Sequence, residues 1–151
     1  MFKHILAATD GTELSSGAVT MAAQLAHATG AKLTLVHARQ QFIPLYPAWS
    51  AAYMPPLDQE EFDKAVKTAS EEILAGARRL AAGERVDCST VSIASDIPWQ
   101  AIIDCAAREH CDAIVMASHG RKGVEALLLG SETYKVLTHS KLPVVVTRGI
   151  E

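Results

Sequence analysis

The stretch Asp112-Ala113-Ile114-Val115-Met116-Ala117-Ser118-His119-Gly120 joins an apolar run directly to small and polar residues. The apolar part predicts a buried strand, because it has the length of a strand and almost no polar alternation. The pair Gly130-Ser131 follows and predicts the start of a helix. Backbone N–H groups in a glycine-containing loop and at a helix N-terminus bind anions. The sequence therefore predicts a phosphate site, of the kind that suits a nucleotide, at this turn.

Four more apolar blocks of strand length flank this stretch, and helical patterns separate them. The predicted strands are 4–8, 32–38, 86–91, 112–117 and 143–147. Strands that alternate with helices are typical of a parallel sheet with crossover helices. The order of these blocks predicts an α/β fold.

Apolar residues at helical spacing predict helices between the strands. The first helix runs from an N-cap at Thr12 to Gly30, and the second from the capping pair Asp58 and Glu61 to about Gly83. The expected apolar face of the second helix consists of Phe62, Val66, Ala69, Ile73, Ala77 and Leu80.

Two further helices follow toward the C-terminus. One spans about 96–110 and has Pro98 in its first turn. The other runs from Ser131, a good N-cap residue, to about His139. The segment 39–57 is different, because its prolines and aromatic residues predict a long loop. Three roles for this loop stay open: a lid over a site, a contact with a partner, or a segment packed against its own domain.

Composition limits the class of protein. A chain of 151 residues with 49% hydrophobic content predicts one compact domain over residues 1–151. The net charge of -3 gives no basic surplus, so we expect neither nucleic acid nor membrane as a partner. No apolar run approaches the roughly 18 residues of a membrane span. Three cysteines without CxxC spacing predict a reducing, cytoplasmic location.

Ligands of open parallel sheets bind beyond the carboxyl ends of the strands. Three predicted strands end at Thr9-Asp10, His37-Ala38 and Met116-Ala117, so these ends are candidates for one shared site. Asp10 has two interpretations. Its carboxylate accepts backbone amides at the start of the next helix, or it accepts hydrogen bonds from a ribose or an adenine amino group.

These residues resemble the universal stress protein family. The resemblance covers the chain from Ile5-Leu6-Ala7-Ala8-Thr9-Asp10 through Leu35-Val36-His37-Ala38 to Pro143-Val144-Val145-Val146. The family's ATP-binding signature is Gly, two residues, Gly, nine residues, Gly, then Ser or Thr. Gly120, the nine residues 121–129, Gly130 and Ser131 match it, whereas Ala117 replaces the first glycine.

The resemblance implies a single three-layer, Rossmann-like domain similar to the adenine nucleotide alpha hydrolases. Its five-stranded parallel sheet has the order 3-2-1-4-5, with helices on both faces. The resemblance also implies a homodimer, in which the last strand, Val144 to Thr147, pairs across a two-fold axis or presents its apolar edge there.

The ligand that the resemblance implies is ATP, with Mg²⁺ held mainly by the phosphates. Asp10 and the backbone of Ala38 face adenine, and the end of the 112–117 strand faces adenine and ribose. The implied nucleotide-binding residues are Thr9, Asp10, Ala38, Met116, Ala117, Gly120, Arg121, Gly130, Ser131, Glu132 and Thr133. The methyl group of Ala117 narrows the approach to ribose, so weakened affinity is expected.

The sequence thus favours a homodimeric, nucleotide-dependent stress-response or signalling protein over an efficient enzyme. No catalytic residue is predicted, because no positioned general base is evident. The adjacent Ser118 and His119 do not by themselves make a catalytic dyad, and the histidines lack a zinc-binding pattern. Two alternatives stay open: a dimeric interaction module without nucleotide, which Ala117 slightly favours, and a slow ATPase.

Overall fold

The structure is a computed structural model that describes residues 1–39, 41, 58–119 and 129–149. Strands and helices alternate along these residues. The strands are β1 (His4–Ala8), β2 (Lys32–Arg39), β3 (Cys88–Ala94), β4 (Ala113–Ala117) and β5 (Val144–Thr147), and the helices are α1 (Glu13–Thr29), α2 (Gln59–Gly83), α3 (Pro98–Arg108) and α4 (Ser131–His139). Most of the loop predicted over 39–57 lies outside the described residues.

The strands form one parallel sheet with the order β3-β2-β1-β4-β5. β1 lies at the centre, where Ile5 is level with Leu33 of β2 and with Ala113 of β4. Helices α1 and α2 pack on one face of the sheet, and α3 and α4 pack on the other. The predicted fold class and strand order are confirmed.

Alternate residues of β1 serve two separate apolar clusters. Ile5 and Ala7 pack with α1 and α2, whereas Leu6 and Ala8 pack with α3 and α4. Ile5, Leu6 and Ala7 are fully buried. A strand that is covered on both faces carries apolar residues at consecutive positions, which explains why this run showed no polar alternation.

The predicted bounds of α1 are confirmed by its caps. Thr12 is extended, and its hydroxyl oxygen accepts a hydrogen bond from the Ser15 backbone N–H at 3.2 Å. Gly30 ends the helix in the left-handed conformation, with a φ of 68°. A side chain is strained in that conformation, which is why glycine commonly follows a helix.

The N-terminal cap of α2 is also as predicted, but its predicted apolar face is wrong in part. Ala69 and Leu80 are exposed, whereas Ser70, Leu74 and Ala81 are buried. The hydroxyl of Ser70 lies 2.7 Å from His37 Nδ1 and 2.7 Å from Ser92 Oγ. Because these hydrogen bonds satisfy the hydroxyl, a polar residue takes a core position and the buried face turns by about one residue.

Two predicted boundaries also need correction. β3 spans Cys88–Ala94 rather than 86–91, because it pairs with β2 from Leu33↔Cys88 to Arg39↔Ala94. The bounds of β3 are thus set by its pairing with the longer strand β2, and not by the apolar pattern of its own residues. The third helix is α3 (Pro98–Arg108) rather than 96–110, with Pro98 in its first turn as expected.

The three cysteines are free thiols buried in the protein. Burial raises the pKa of each thiol, and it raises the pKa of Cys111 to about 12. A thiol with a raised pKa stays protonated near neutral pH, and a protonated thiol is a poor nucleophile. The described residues contain no helix that is both long and apolar enough to cross a membrane.

We expect Gly11→Ala to lower the free energy of unfolding by about 1–3 kcal/mol. Gly11 has a φ of 79°, and an added Cβ would lie 2.9 Å from Ile73 Cγ1 of α2. Gly17→Ala is the matched control, because Gly17 is an exposed residue of α1 with nothing within 4 Å of its added Cβ. That change should stabilise the protein by about 0.5–1 kcal/mol. Urea unfolding measures both, and equal shifts would contradict the prediction.

Candidate functional site

The connections after β1 and β4 leave the sheet toward opposite faces. β1 leads to α1 on one face, and β4 leads to α4 on the other. Neighbouring strands with divergent connections leave a crevice at their carboxyl ends, which is where open α/β sheets bind ligands. The predicted site residues at the ends of β1, β2 and β4 therefore share one edge of the sheet.

Two hydrogen bonds fasten the start of α4 to the end of β4. The Gly130 N–H donates to the Ser118 carbonyl oxygen at 2.7 Å. The Thr133 hydroxyl donates to the Ala117 carbonyl oxygen at 2.9 Å, and this side chain is buried. The hydroxyl of Thr133 is therefore used to position α4, and only its backbone N–H is available to a ligand.

The N-cap of α4 is Gly130, and not Ser131 as predicted. Ser131 is the first helical residue, because the Gly130 carbonyl oxygen accepts the first helical hydrogen bond, from the Tyr134 N–H at 2.9 Å. Gly130 has no side chain with which to cap the helix. Within residues 1–39, 41, 58–119 and 129–149, the N–H groups of Ser131, Glu132 and Thr133 have no acceptor. An open helix N-terminus of this kind suits an anion.

The carboxylate of Glu132 lies at the start of a different helix. Its Oε2 accepts the Trp99 backbone N–H at 2.8 Å, and its Oε1 lies 3.7 Å from Lys135 Nζ. This contact caps α3, whose N-cap residue Ile97 makes no side-chain cap of its own. The Glu132 carboxylate is therefore hydrogen-bonded to the N-terminus of α3, and Glu132 offers a ligand only its backbone N–H.

The end of β1 is organised by hydrogen bonds among its own residues. Asp10 Oδ1 accepts the Thr12 backbone N–H at 3.0 Å and the Thr12 hydroxyl at 2.6 Å. Thr9 is buried, and its Oγ1 lies 3.1 Å from Ser15 Oγ and accepts the Gly11 N–H at 3.3 Å. Of the two interpretations of Asp10, the structure bears out the one in which it shapes the turn before α1.

The strand residues predicted to contact the base lie at the same edge. Ala38 is half-buried in β2, opposite Ile93 of β3. Met116 and Ala117 are each only 6% exposed in β4. Ala117 is extended and level with Thr147, and its methyl group joins the apolar cluster under α1. Because the backbone here is extended, alanine replaces glycine without conformational strain.

His119 was not predicted as a site residue, although it directly precedes Gly120. Its Nδ1 lies 3.1 Å from Ser118 Oγ, while its Nε2 is buried and has no partner among the residues described. A buried polar atom without a partner indicates that an acceptor or donor is missing. Gly120 and Arg121 themselves lie outside the described residues.

The described residues contain no group of three or more His, Cys, Asp or Glu side chains that is able to hold a metal ion. The donors at the carboxyl edge are instead backbone N–H groups, a serine hydroxyl and a histidine. This donor set suits phosphate oxygens.

The sheet order and the crevice between β1 and β4 define a Rossmann-like α/β protein. A model of the universal stress protein family matches residues 1–148, and the chain belongs to that family. It is 30% identical to the universal stress protein YxiE of Bacillus subtilis and 33% identical to a universal stress protein of Thermus aquaticus. Each alignment covers 98% of this chain and 100% of the relative.

Solved structures share the fold at low sequence identity. The protein MJ0577 of Methanocaldococcus jannaschii has a TM-score of 0.80 and 21% identity over 100% of this chain and 99% of its own. A universal stress protein in complex with cAMP has a TM-score of 0.70 and 23% identity, with 97% of each chain covered. One from Archaeoglobus fulgidus in complex with dAMP has a TM-score of 0.63 and 19% identity, with 95% of this chain and 96% of its own covered.

We expect Thr133→Val to lower the free energy of unfolding by about 1–3 kcal/mol, because it leaves the Ala117 carbonyl without its buried donor. Thr138→Val in the same helix is the control. Its hydroxyl is exposed, and its partners among the described residues all lie within α4, so its loss should change stability by less than about 0.5 kcal/mol. Chemical denaturation measures both variants. Equal losses would mean that the contact between β4 and α4 is not the source of the stability.

Proposed function

We propose that residues 1–151 form one universal stress protein domain that binds ATP and acts as a homodimeric, nucleotide-dependent stress-response protein. The observation that carries this proposal is the open N-terminus of α4. Gly130 and Thr133 fasten it beside the crevice, while the N–H groups of Ser131, Glu132 and Thr133 have no acceptor among the residues described. Those N–H groups would bind the phosphates.

The backbone of Gly130 supports a role in ligand binding. Its φ of -58° and ψ of 149° are open to any residue, so the chain does not need glycine for its conformation. Glycine has another use, which is to let a ligand approach the backbone closely. The Ser131 hydroxyl has no partner within the described part of the chain and would donate to a phosphate oxygen.

The nucleoside would bind along the ends of the other strands. We assign adenine to Ala38 and Met116 beside Asp10, and ribose to the Ala117 backbone. Asp10 suits this end of the nucleotide better than the phosphates, because two negative charges repel. At the phosphate end we propose Gly120 of the signature and the neighbouring Arg121. We add His119, whose buried Nε2 has no partner among residues 1–39, 41, 58–119 and 129–149.

The choice of an adenine nucleotide is supported by the universal stress protein structures in complex with cAMP and with dAMP. The choice of ATP follows from the match of Gly120, Gly130 and Ser131 to the family signature. We propose that Mg²⁺ accompanies ATP and binds mainly to its phosphates, where it would neutralise part of their charge.

The homodimer is proposed from the edge position of β5. This strand pairs with β4 on one side, and its residues are half-buried in the single chain. An unpaired edge of consecutive valines invites pairing with a second strand. A cytoplasmic location is proposed from the three free, buried cysteines.

Nucleotide binding controls a protein of this kind if ATP binds two of its conformations with different affinity. Such control requires no hydrolysis. The alternative of a module without nucleotide was favoured by Ala117, but an extended backbone accommodates that residue. No geometry among the described residues favours a slow ATPase over simple binding.

We expect Gly130→Val to weaken ATP binding by at least tenfold, or about 1.4 kcal/mol, because its side chain would occupy the path of the phosphates. The fold should survive, since valine readily adopts the backbone angles of Gly130. Gly83→Val is the control, because Gly83 ends α2 and nothing lies within 4 Å of an added Cβ.

Isothermal titration calorimetry with ATP and Mg²⁺ measures the affinities of both variants and of the native protein. Mass spectrometry of gently purified protein identifies any bound nucleotide. Unchanged affinity in folded Gly130→Val would reject the phosphate site. Native protein that carries no nucleotide and fails to bind millimolar ATP would reject the function.

The backbone of β5 offers a test of the dimer. The Pro143 carbonyl accepts a hydrogen bond from the Ile114 N–H of β4, and the Thr147 carbonyl accepts one from the Ser118 N–H directly after β4. The alternate residues Val144 and Val146 therefore direct their backbone groups away from β4. Val146→Pro removes an outward N–H and keeps the contacts with β4. We expect this variant to fold and to sediment as a monomer, whereas the native protein sediments as a dimer. A dimeric Val146→Pro protein would reject pairing through this strand.

A further inference from the structure

A second groove lies where the carboxyl ends of β2 and β3 meet the first turns of α2. Its volume is about 460 Å³, and the charged groups of its described lining are Arg39, Asp63, Lys64 and Lys67. Small-molecule sites have volumes of about 300–1,000 Å³. We propose that this groove binds a small molecule that carries a phosphate monoester, at a place separate from the nucleotide site.

The two strand ends that form the wall of the groove are tied together. The Gln41 side-chain amide donates to the Ala94 carbonyl oxygen at 3.1 Å, and the Ser95 N–H donates to the Arg39 carbonyl oxygen at 2.9 Å. Because these bonds fix the backbone on both sides, the base of the Arg39 side chain has a defined position. A preformed wall lowers the entropy that a ligand loses on binding.

The side chain of Arg39 has an unused donor. Its Nε is buried and has no acceptor among the residues that the structure describes. A buried N–H group without an acceptor costs about 1–3 kcal/mol. The Arg39 side chain also lines the groove, and its planar guanidinium is suited to bind two oxygens of one phosphate group.

The charge of the groove indicates a phosphate rather than a single carboxylate. Arg39, Lys64 and Lys67 contribute three positive charges and Asp63 one negative charge, which leaves a formal surplus of two. Within the described part of the chain, none of the four belongs to an ion pair. A phosphate monoester carries about -1.5 to -2 charges at pH 7 and neutralises this surplus, whereas one carboxylate neutralises half of it.

The groove and the nucleotide site use different sides of β2. His37 contacts Ser70 of α2, and Arg39 is two residues further along the strand, so both belong to the face that α2 covers. Ala38 lies between them and belongs to the opposite face, where α3 and α4 pack. The groove therefore does not depend on the proposed function of the α4 N-terminus.

The test uses the full chain, with ribose 5-phosphate as the probe and ribose as the uncharged control. In ¹H–¹⁵N NMR spectra, ribose 5-phosphate should shift the Arg39 Nε–H signal, and ribose should not. We expect Arg39→Met to weaken the binding of ribose 5-phosphate at least tenfold. Arg79→Met removes the same charge from an exposed position of α2 outside the groove, and it should leave the affinity unchanged.

Two further variants test which of the two sites binds the probe and whether binding needs the guanidinium of Arg39. In Gly130→Val, whose nucleotide site is blocked, ribose 5-phosphate should still shift the Arg39 Nε–H signal. Loss of that shift, together with unchanged affinity in Arg39→Met, would place the probe in the nucleotide site and overturn the proposal. Arg39→Lys keeps the charge and loses the planar fork, so it should bind at least threefold more weakly. Arg39→Lys also provides the test of the Arg39 side chain if Arg39→Met does not fold. Full affinity in Arg39→Lys, or an unshifted Arg39 Nε–H signal, would overturn the proposal.

Discussion

The burial of β1 on both faces is the constraint on which the rest of the molecule depends. Ile5, Leu6 and Ala7 have no exposed surface, so helices must cover both sides of the strand. The chain achieves this by sending α1 to one face and α4 to the other. Divergent connections from neighbouring strands open a crevice at their carboxyl ends, and the packing of the core thereby creates the kind of crevice in which open α/β sheets bind ligands.

Side-chain hydrogen bonds around that crevice mostly position the backbone. Thr12 and Asp10 hold the turn before α1, and Thr133 holds α4 against Ala117. Asp10 and Thr133 were assigned to the nucleotide by the family resemblance, yet a side-chain oxygen of each is engaged in these contacts. Among the described residues, the backbone N–H groups at the start of α4, the Ser131 hydroxyl and one ring nitrogen of His119 are left without a partner. A site built from backbone donors depends on accurate placement of helix ends, which explains why polar side chains there are used for placement.

Local signals in the sequence were sufficient for much of the fold. Thr12 and Gly30 bounded α1 because capping is decided by neighbouring residues, and the apolar run of β1 identified a central strand. Ser70 was missed, because a serine reaches the core only when His37 and Ser92, distant in sequence, satisfy it. The Gly130 N-cap was missed for a similar reason. A serine is the better cap by local preference, but the bond from Gly130 to Ser118 sets where α4 begins.

Glu132 connects the start of α4 to the start of α3. Its backbone N–H belongs to the open N-terminus of α4, and its carboxylate accepts the Trp99 N–H of α3 at 2.8 Å. Because Ile97 supplies no side-chain cap, the N-terminus of α3 relies on this carboxylate. Any ligand that moves the first turn of α4 therefore changes the cap of α3 as well. Among the described residues, the Glu132 carboxylate thus joins the first turns of α4 and α3 directly, so a displacement of one helix end would reach the other without any movement of the sheet.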